Sequence, residues 1–180
     1  MIPKRKKIVT LTFLREELLY DIKNYAYIEG DVMKTDNEHD RHQVMDICED
    51  GNIDRVTRVL DLAIAECIEL CYPYSKVSVP DTSTPDEEEE VMSLDDTLEE
   101  TPSYVVRLLV PDDFSQTTVN LLRRLIHELL VYKVIADWMS ITNPDKTAEW
   151  LTKVAGIEES IRTNLNCRVG RVRRTMTPFA

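Results

Sequence analysis

The chain has 180 residues, 43% of them hydrophobic and 31% charged, with a formal net charge of −11, 4 glycines and 4 cysteines. That length suits one domain with a real core, and that apolar share excludes a chain unfolded throughout. So few glycines argue against a glycine-loop nucleotide enzyme and against a turn-rich β-sandwich.

Residues 7–13 alternate. Val9, Leu11 and Phe13 share one face and Ile8, Thr10 and Thr12 the other, which is the period of a strand. Lys4, Arg5, Lys6 and Lys7 before them do not make a secretory leader. The apolar stretch is short, holds two threonines, and runs into Arg15, Glu16 and Glu17 with no small-residue cleavage site. No stretch approaches the ~18 apolar residues that span a bilayer, so a soluble, unexported protein is expected.

From Arg15 to about Met33 the period is helical. Leu18, Leu19, Ile22, Tyr25 and Ala26 form its stripe, and Gly30 reads as its stop. Residues 34–51 are polar, with Val44, Met45, Ile47 and Cys48 suited to a short helix. His39 and His42 stand three apart beside Asp36, Glu38, Asp40 and Asp46. The four-residue zinc spacing with an intervening Glu is absent, so a polar connector is expected and not a metal site. Residues 46–54 lack the alternation and the final Glu of a calcium loop.

From Ile53 the pattern strengthens. Val56, Leu60, Ile64, Cys67, Ile68 and Cys71 continue one helical stripe, with Asn52 as N-cap and Pro73 as terminator. Cys67 and Cys71, four apart with apolar neighbours, read as small core residues. With Cys48 and Cys167 they make neither a metal set nor a disulfide framework.

Residues 75–79 read as a short strand. The window 77–103 follows, with Asp81, Asp86, Glu87, Glu88, Glu89, Glu90, Asp95, Asp96, Glu99 and Glu100, three prolines, and no Lys or Arg. It cannot bury enough surface to offset its ordering entropy and is expected to be a mobile acidic insert. Nearly all of the net charge lies there, and the rest of the chain is close to neutral. Residues 104–110 are almost continuously apolar and read as a strand closed by Pro111. Chain order suggests that it pairs with 75–79 across the insert.

Asp112 or Asp113 is the expected cap of the next helix. Val119, Leu122, Leu125, Ile126, Leu129, Leu130, Val134 and Trp138 give it a wide apolar face over some 20 residues. His127 lies on it and reads as a partly buried, hydrogen-bonded histidine. Asn143 and Pro144 are a cap followed by proline at the first helical position. The last helix runs to about Asn164 with Trp150, Leu151, Val154, Ile157, Ile161 and Leu165 on its buried side. The short link at 141–143 makes the last two helices an antiparallel pair.

Residues 168–180 form a basic C-terminal arm, and no acid follows Glu159. Arg168, Arg171, Arg173 and Arg174 alternate with valine and glycine, which suits an extended arm with one charged face. Phosphate or an acidic protein surface fits it, and an ordinary terminus is the plain alternative. No aromatic residue is interleaved, so stacking on single strands is not supported.

The fold expected is α+β and mainly α: one domain over residues 1–180, with long antiparallel helices, a small β-sheet, an acidic loop and a basic arm. No nucleophile signature, metal set or cofactor loop stands out, so a non-enzymatic protein without a cofactor is expected.

The helix running into Glu69, Leu70, Cys71, Tyr72, Pro73 and Tyr74, the acidic excursion, and the helix pair carrying residues 121–132, Trp138, Pro144, Trp150 and Leu151 together resemble the head–tail connector, or neck adaptor, proteins of tailed bacteriophages and prophages. The resemblance covers roughly residues 53–180 and is one of layout and helix texture. The N-terminal strand and helix and the long insert depart from that compact pattern. The resemblance implies a virion structural subunit joining capsid portal to tail proteins through a homo-oligomeric ring of about a dozen copies. It implies the virion, and the host cytoplasm during assembly, as location, with packaged DNA close by and neither membrane nor small-molecule substrate. Opposite charges on separate arms suit head-to-tail contacts, the acidic loop of one copy facing Arg171, Arg173 and Arg174 of the next. The alternative is a small DNA-associated or regulatory protein that uses its basic termini.

Overall fold

A computed structural model describes residues 6–34, 37–76, 101–112 and 114–166. Strand β1 spans Lys6–Leu14 and leads without a linker into helix α1, Arg15–Val32. Helix α2 is Glu38–Met45, α3 is Ile53–Leu70, strand β2 is Ser103–Pro111, α4 is Gln116–Thr142 and α5 is Pro144–Asn166. The protein is α+β and mainly α, as its sequence pattern suggests.

The two strands form one antiparallel ribbon. Leu11 stands opposite Val106 and Phe13 opposite Tyr104, all buried, while Ile8 stands opposite Leu109 and Thr12 opposite Val105 on the outer side. Among the described residues the partner of the 104–110 stretch is therefore the N-terminal strand, and most of the expected partner 75–79 lies outside the described residues. Two strands that each bury alternate residues gain most by facing the same core together. Ser75 and Lys76 lie in a turn and its exit, and 77–79 fall outside the described residues. The other edge of β2 still receives one backbone bond, from Leu109 N–H to the Tyr74 carbonyl at 2.7 Å.

Helix α1 buries Leu18, Ile22, Ala26 and Gly30 at a spacing of four, a single narrow stripe. Gly30 is inside the helix and not its stop. A Cβ there would meet Met45 of α2, so glycine allows the two helices to approach. The turn between them is held by Arg41, whose Nε and Nη2 donate to the Met33 carbonyl at 3.2 and 3.0 Å. Asn37 caps α2 by accepting from the His39 N–H.

Asn52 occupies the cap position of α3, but its side chain does not cap the helix. It donates instead to the Asp46 carbonyl at 2.8 Å, which fastens the preceding turn. Helix α4 begins at the cap residue Ser115 and not at Asp112, whose carboxylate pairs with Lys7 at 2.7 Å; Asp113 is outside the described residues.

Helix α4 is the axis of the molecule. Its 27 residues bury Leu122, Ile126, Leu129, Leu130, Val131, Val134, Ile135, Trp138 and Met139, a spread wider than one stripe. That breadth follows from its position, since α1, α2, α3 and α5 all pack on it. Helix α5 returns antiparallel with Trp150, Val154, Ile161 and Leu165 buried, while Leu151 points outward, contrary to its place in the apolar pattern. The Tyr74 hydroxyl donates to the Leu165 carbonyl at 3.2 Å and ties the end of α5 to the turn after α3.

Candidate functional site

The ribbon buries one face and leaves the other in water. On the outer face Ile8 is 72% exposed, and Leu14, Val105 and Leu109 are exposed with it. Thr10 stands opposite Arg107 among them. Neither strand contains an acid, and their cations are Lys6, Lys7 and Arg107. Contiguous exposed apolar residues of this kind mark interaction surfaces more often than inert ones.

A second exposed surface lies on α1, opposite its buried stripe. Tyr20 is 72% exposed, and Tyr27, Ile28 and Val32 are exposed as well. Tyr20 and Tyr27 are seven residues apart, close to two helical turns, so they lie on the same side. Glu16, Glu17 and Asp31 share this exposed side with the cation Lys23, which lies between Tyr20 and Tyr27 and 3.9 Å from Glu49. The α1 surface is thus apolar and acidic where the ribbon is apolar and basic.

Between these elements His127 of α4 meets Asp21 of α1. Its Nε2 lies 2.7 Å from Asp21 Oδ2, joining α4 to α1 across 106 residues of chain. One surface hollow beside the pair is lined by Glu16, Glu17 and Tyr20. A second, on the β1 side, is lined by Thr12, Asn120, Arg123, Arg124 and Glu128 among others. An imidazole oriented by a carboxylate is the supporting half of a nucleophile-activating arrangement. Among the described residues neither hollow is lined by a Ser or Cys that the pair could activate.

The other polar contacts bind helices to one another. Lys133 on α4 bridges Glu66 on α3 and Glu158 on α5, the latter at 3.2 Å. Burial works against its charge, but hydrogen bonds with both carboxylates outweigh that and hold Lys133 above the ordinary lysine value. Arg55 on α3 reaches Asp137 on α4 at 2.9 Å. Cys67 and Cys71 are fully buried in the core, as expected. Hydrogen bonding with Cys71, reinforced by burial, pushes the Cys67 thiol far up, so it stays protonated.

Tyr25, Tyr132 and Trp150 meet edge to face, with ring centroids 5.2 to 5.7 Å apart. The Tyr25 hydroxyl beside it, and then burial, hold the Tyr132 hydroxyl above its usual value. The Lys153 ammonium lies 3.8 Å from the Trp150 ring centroid.

His39 and His42 are on α2, where His39 Nε2 contacts Gln43 Nε2 at 3.0 Å. Among the described residues, no three His, Cys, Asp or Glu side chains gather in a way that would hold a metal ion. No described helix is long and apolar enough to cross a membrane. Arg168, Arg171, Arg173 and Arg174 lie outside the described residues, as does 77–100 of the acidic insert. The sequence pattern had placed Ile8 on the polar side of its strand and left Tyr20 and Tyr27 unassigned. The signal for the latter is their seven-residue spacing.

No family model, curated protein or solved structure matches the chain.

Proposed function

We propose that the chain is a non-enzymatic structural subunit that acts by assembling with copies of itself, and specifically a head–tail connector ring protein of a tailed phage or prophage. The observation that carries this reading is the pair of exposed apolar surfaces, one basic on the ribbon and one acidic on α1, set on a rigid helical body. Its narrower part, the connector, rests on the layout of helix, aromatic-proline turn, excursion and helix hairpin. In that role the partners are further copies, a portal protein and tail proteins, and the place is the virion. The basic arm with Arg168, Arg171, Arg173 and Arg174 then serves a neighbouring subunit or nearby packaged DNA.

The oligomeric state tests the reading. Size-exclusion chromatography with light scattering, followed by negative-stain microscopy, is expected to give ring particles of one stoichiometry. A monomer that binds duplex DNA with a steep salt dependence overturns it and favours the DNA-associated alternative.

A further inference from the structure

We infer that the outer face of the β1–β2 ribbon docks on the exposed face of α1 in a second copy of the chain. The inference rests on the self-assembly reading above and names the surfaces it uses.

Three observations carry it. The ribbon's outer face combines Ile8, Leu14, Val105 and Leu109 with Arg107 and no acid. The α1 face combines Tyr20, Tyr27, Ile28 and Val32 with Glu16, Glu17 and Asp31, three acids against the one cation Lys23, which also faces Glu49 at 3.9 Å. Each face therefore offers apolar surface that gains by leaving water, the ribbon with a net positive charge and the α1 face with a net negative one. Tyrosines of this exposure are the usual anchors of such contacts, since a ring is buried while its hydroxyl keeps a polar partner. Arg107 lies between Val105 and Leu109, so docking brings its guanidinium among apolar groups, where an α1 carboxylate compensates it.

The third observation concerns the same copy. Strand β1 ends at Leu14 and α1 begins at Arg15, with no linker. Both faces look away from the core that their inner sides share, so one copy cannot fold its ribbon onto its own α1. The contact must be made between copies, and because the two faces differ it is heterologous. Each copy then presents one unfilled face at each end of a chain of subunits until a ring closes. Nucleic acid fits the ribbon less well, because four large apolar residues outnumber the cations available for phosphate.

The experiment uses two variants of the full chain, checked for native melting behaviour. One alters the ribbon, Ile8→Glu, with Arg107→Glu as a second choice that touches only an exposed polar residue. The other alters the helix, Tyr27→Lys. Light scattering across a concentration series is expected to show each variant alone associating roughly tenfold more weakly than the wild type or not at all. Mixing the two is expected to give a complex of two chains and nothing larger, since only one intact ribbon meets one intact helix. Ribbon and helix variants that still assemble as the wild type does overturn the inferred contact but leave the self-assembly reading standing. A wild-type chain that is monomeric at every concentration overturns both. Duplex DNA bound by the wild type and lost in Arg107→Glu, with self-association unchanged, assigns the ribbon to nucleic acid and overturns the contact.

Discussion

Gly30 and Met45 are in closer contact than any side chain at position 30 allows. A Cβ on Gly30 would lie 2.8 Å from Met45 Cγ and 3.2 Å from the Arg41 carbonyl oxygen. The first atom is near the root of its side chain and the second is backbone, so neither yields cheaply. Glycine inside a helix costs about 1 kcal/mol relative to alanine, and Gly30→Ala would ordinarily recover that. Here the forced separation of α1 from α2 outweighs the gain, and a net loss of about 1–2 kcal/mol is expected in urea unfolding. Gly156 is the control, since nothing lies within 4 Å of a Cβ built there. Gly156→Ala should stabilise.

Lys133→Met should cost about 1–2 kcal/mol, less than the loss of a fully buried ion pair. Lys133 is 18% exposed, but its partners Glu66 and Glu158 retain 49% and 24%, so water partly compensates the carboxylates left behind. The effect is pH-dependent in a definite direction. Folding raises the Lys133 value, so it stabilises the protonated form. The contribution is whole at neutral pH and up to the ordinary lysine value of about 10.4, and it fades as pH rises through the higher folded value. The difference in unfolding midpoint between wild type and Lys133→Met should therefore be constant near neutrality and shrink above about pH 10.4.

Trp150 separates packing from hydrogen bonding. It is 1% exposed between Tyr25 and Tyr132, and its Nε1 has no hydrogen-bond partner among the described residues. Trp150→Ala should cost about 3–5 kcal/mol through the cavity it leaves. Trp150→Phe keeps an edge-on ring and gives up no hydrogen bond, so about 1 kcal/mol is expected. Thermal or urea unfolding followed by far-ultraviolet circular dichroism measures both without relying on tryptophan emission.

Asp21→Ala tests the weight of the contact with His127. The imidazole is 25% exposed and the carboxylate 42%, so solvent screens the pair. A loss of less than about 1 kcal/mol is expected despite the short distance. A loss several times larger would mean that the pair secures the α1–α4 packing, which the apolar stripe of Leu18, Ile22 and Ala26 is taken to do.

What the sequence made legible follows the range of the interaction. The 27 residues of α4 and the stripe of α3 announce themselves within a few turns, and Pro144 marks the start of α5. Signals that serve two purposes misled. Gly30 has the same signature as a helix stop and as a close approach. Asp112, Asp113 and Ser115 are all cap-type residues; Ser115 takes the cap position without a side-chain hydrogen bond, while Asp112 pairs with Lys7. Partners far apart in the chain left no local trace. The pairing of Leu11 with Val106, the Asp21–His127 contact and the bridge from Glu66 through Lys133 to Glu158 each join residues that no periodicity connects. The exposed faces were half legible: the alternation of β1 was plain, but not which side would stay uncovered.

The ribbon register has a consequence for how the molecule comes into being. Leu11 waits for Val106, so the first strand emerges from the ribosome long before its partner exists. At ordinary rates of synthesis that interval is roughly 5–20 s, far longer than α1 or α3 needs to coil. The apolar side of β1 must spend it unpaired, and α4, against which α1 packs, arrives later still. The molecule is therefore expected to fold late and nearly all at once, when α4 clears the exit tunnel. A nascent chain halted before residue 116 should be open to proteolysis along its whole length.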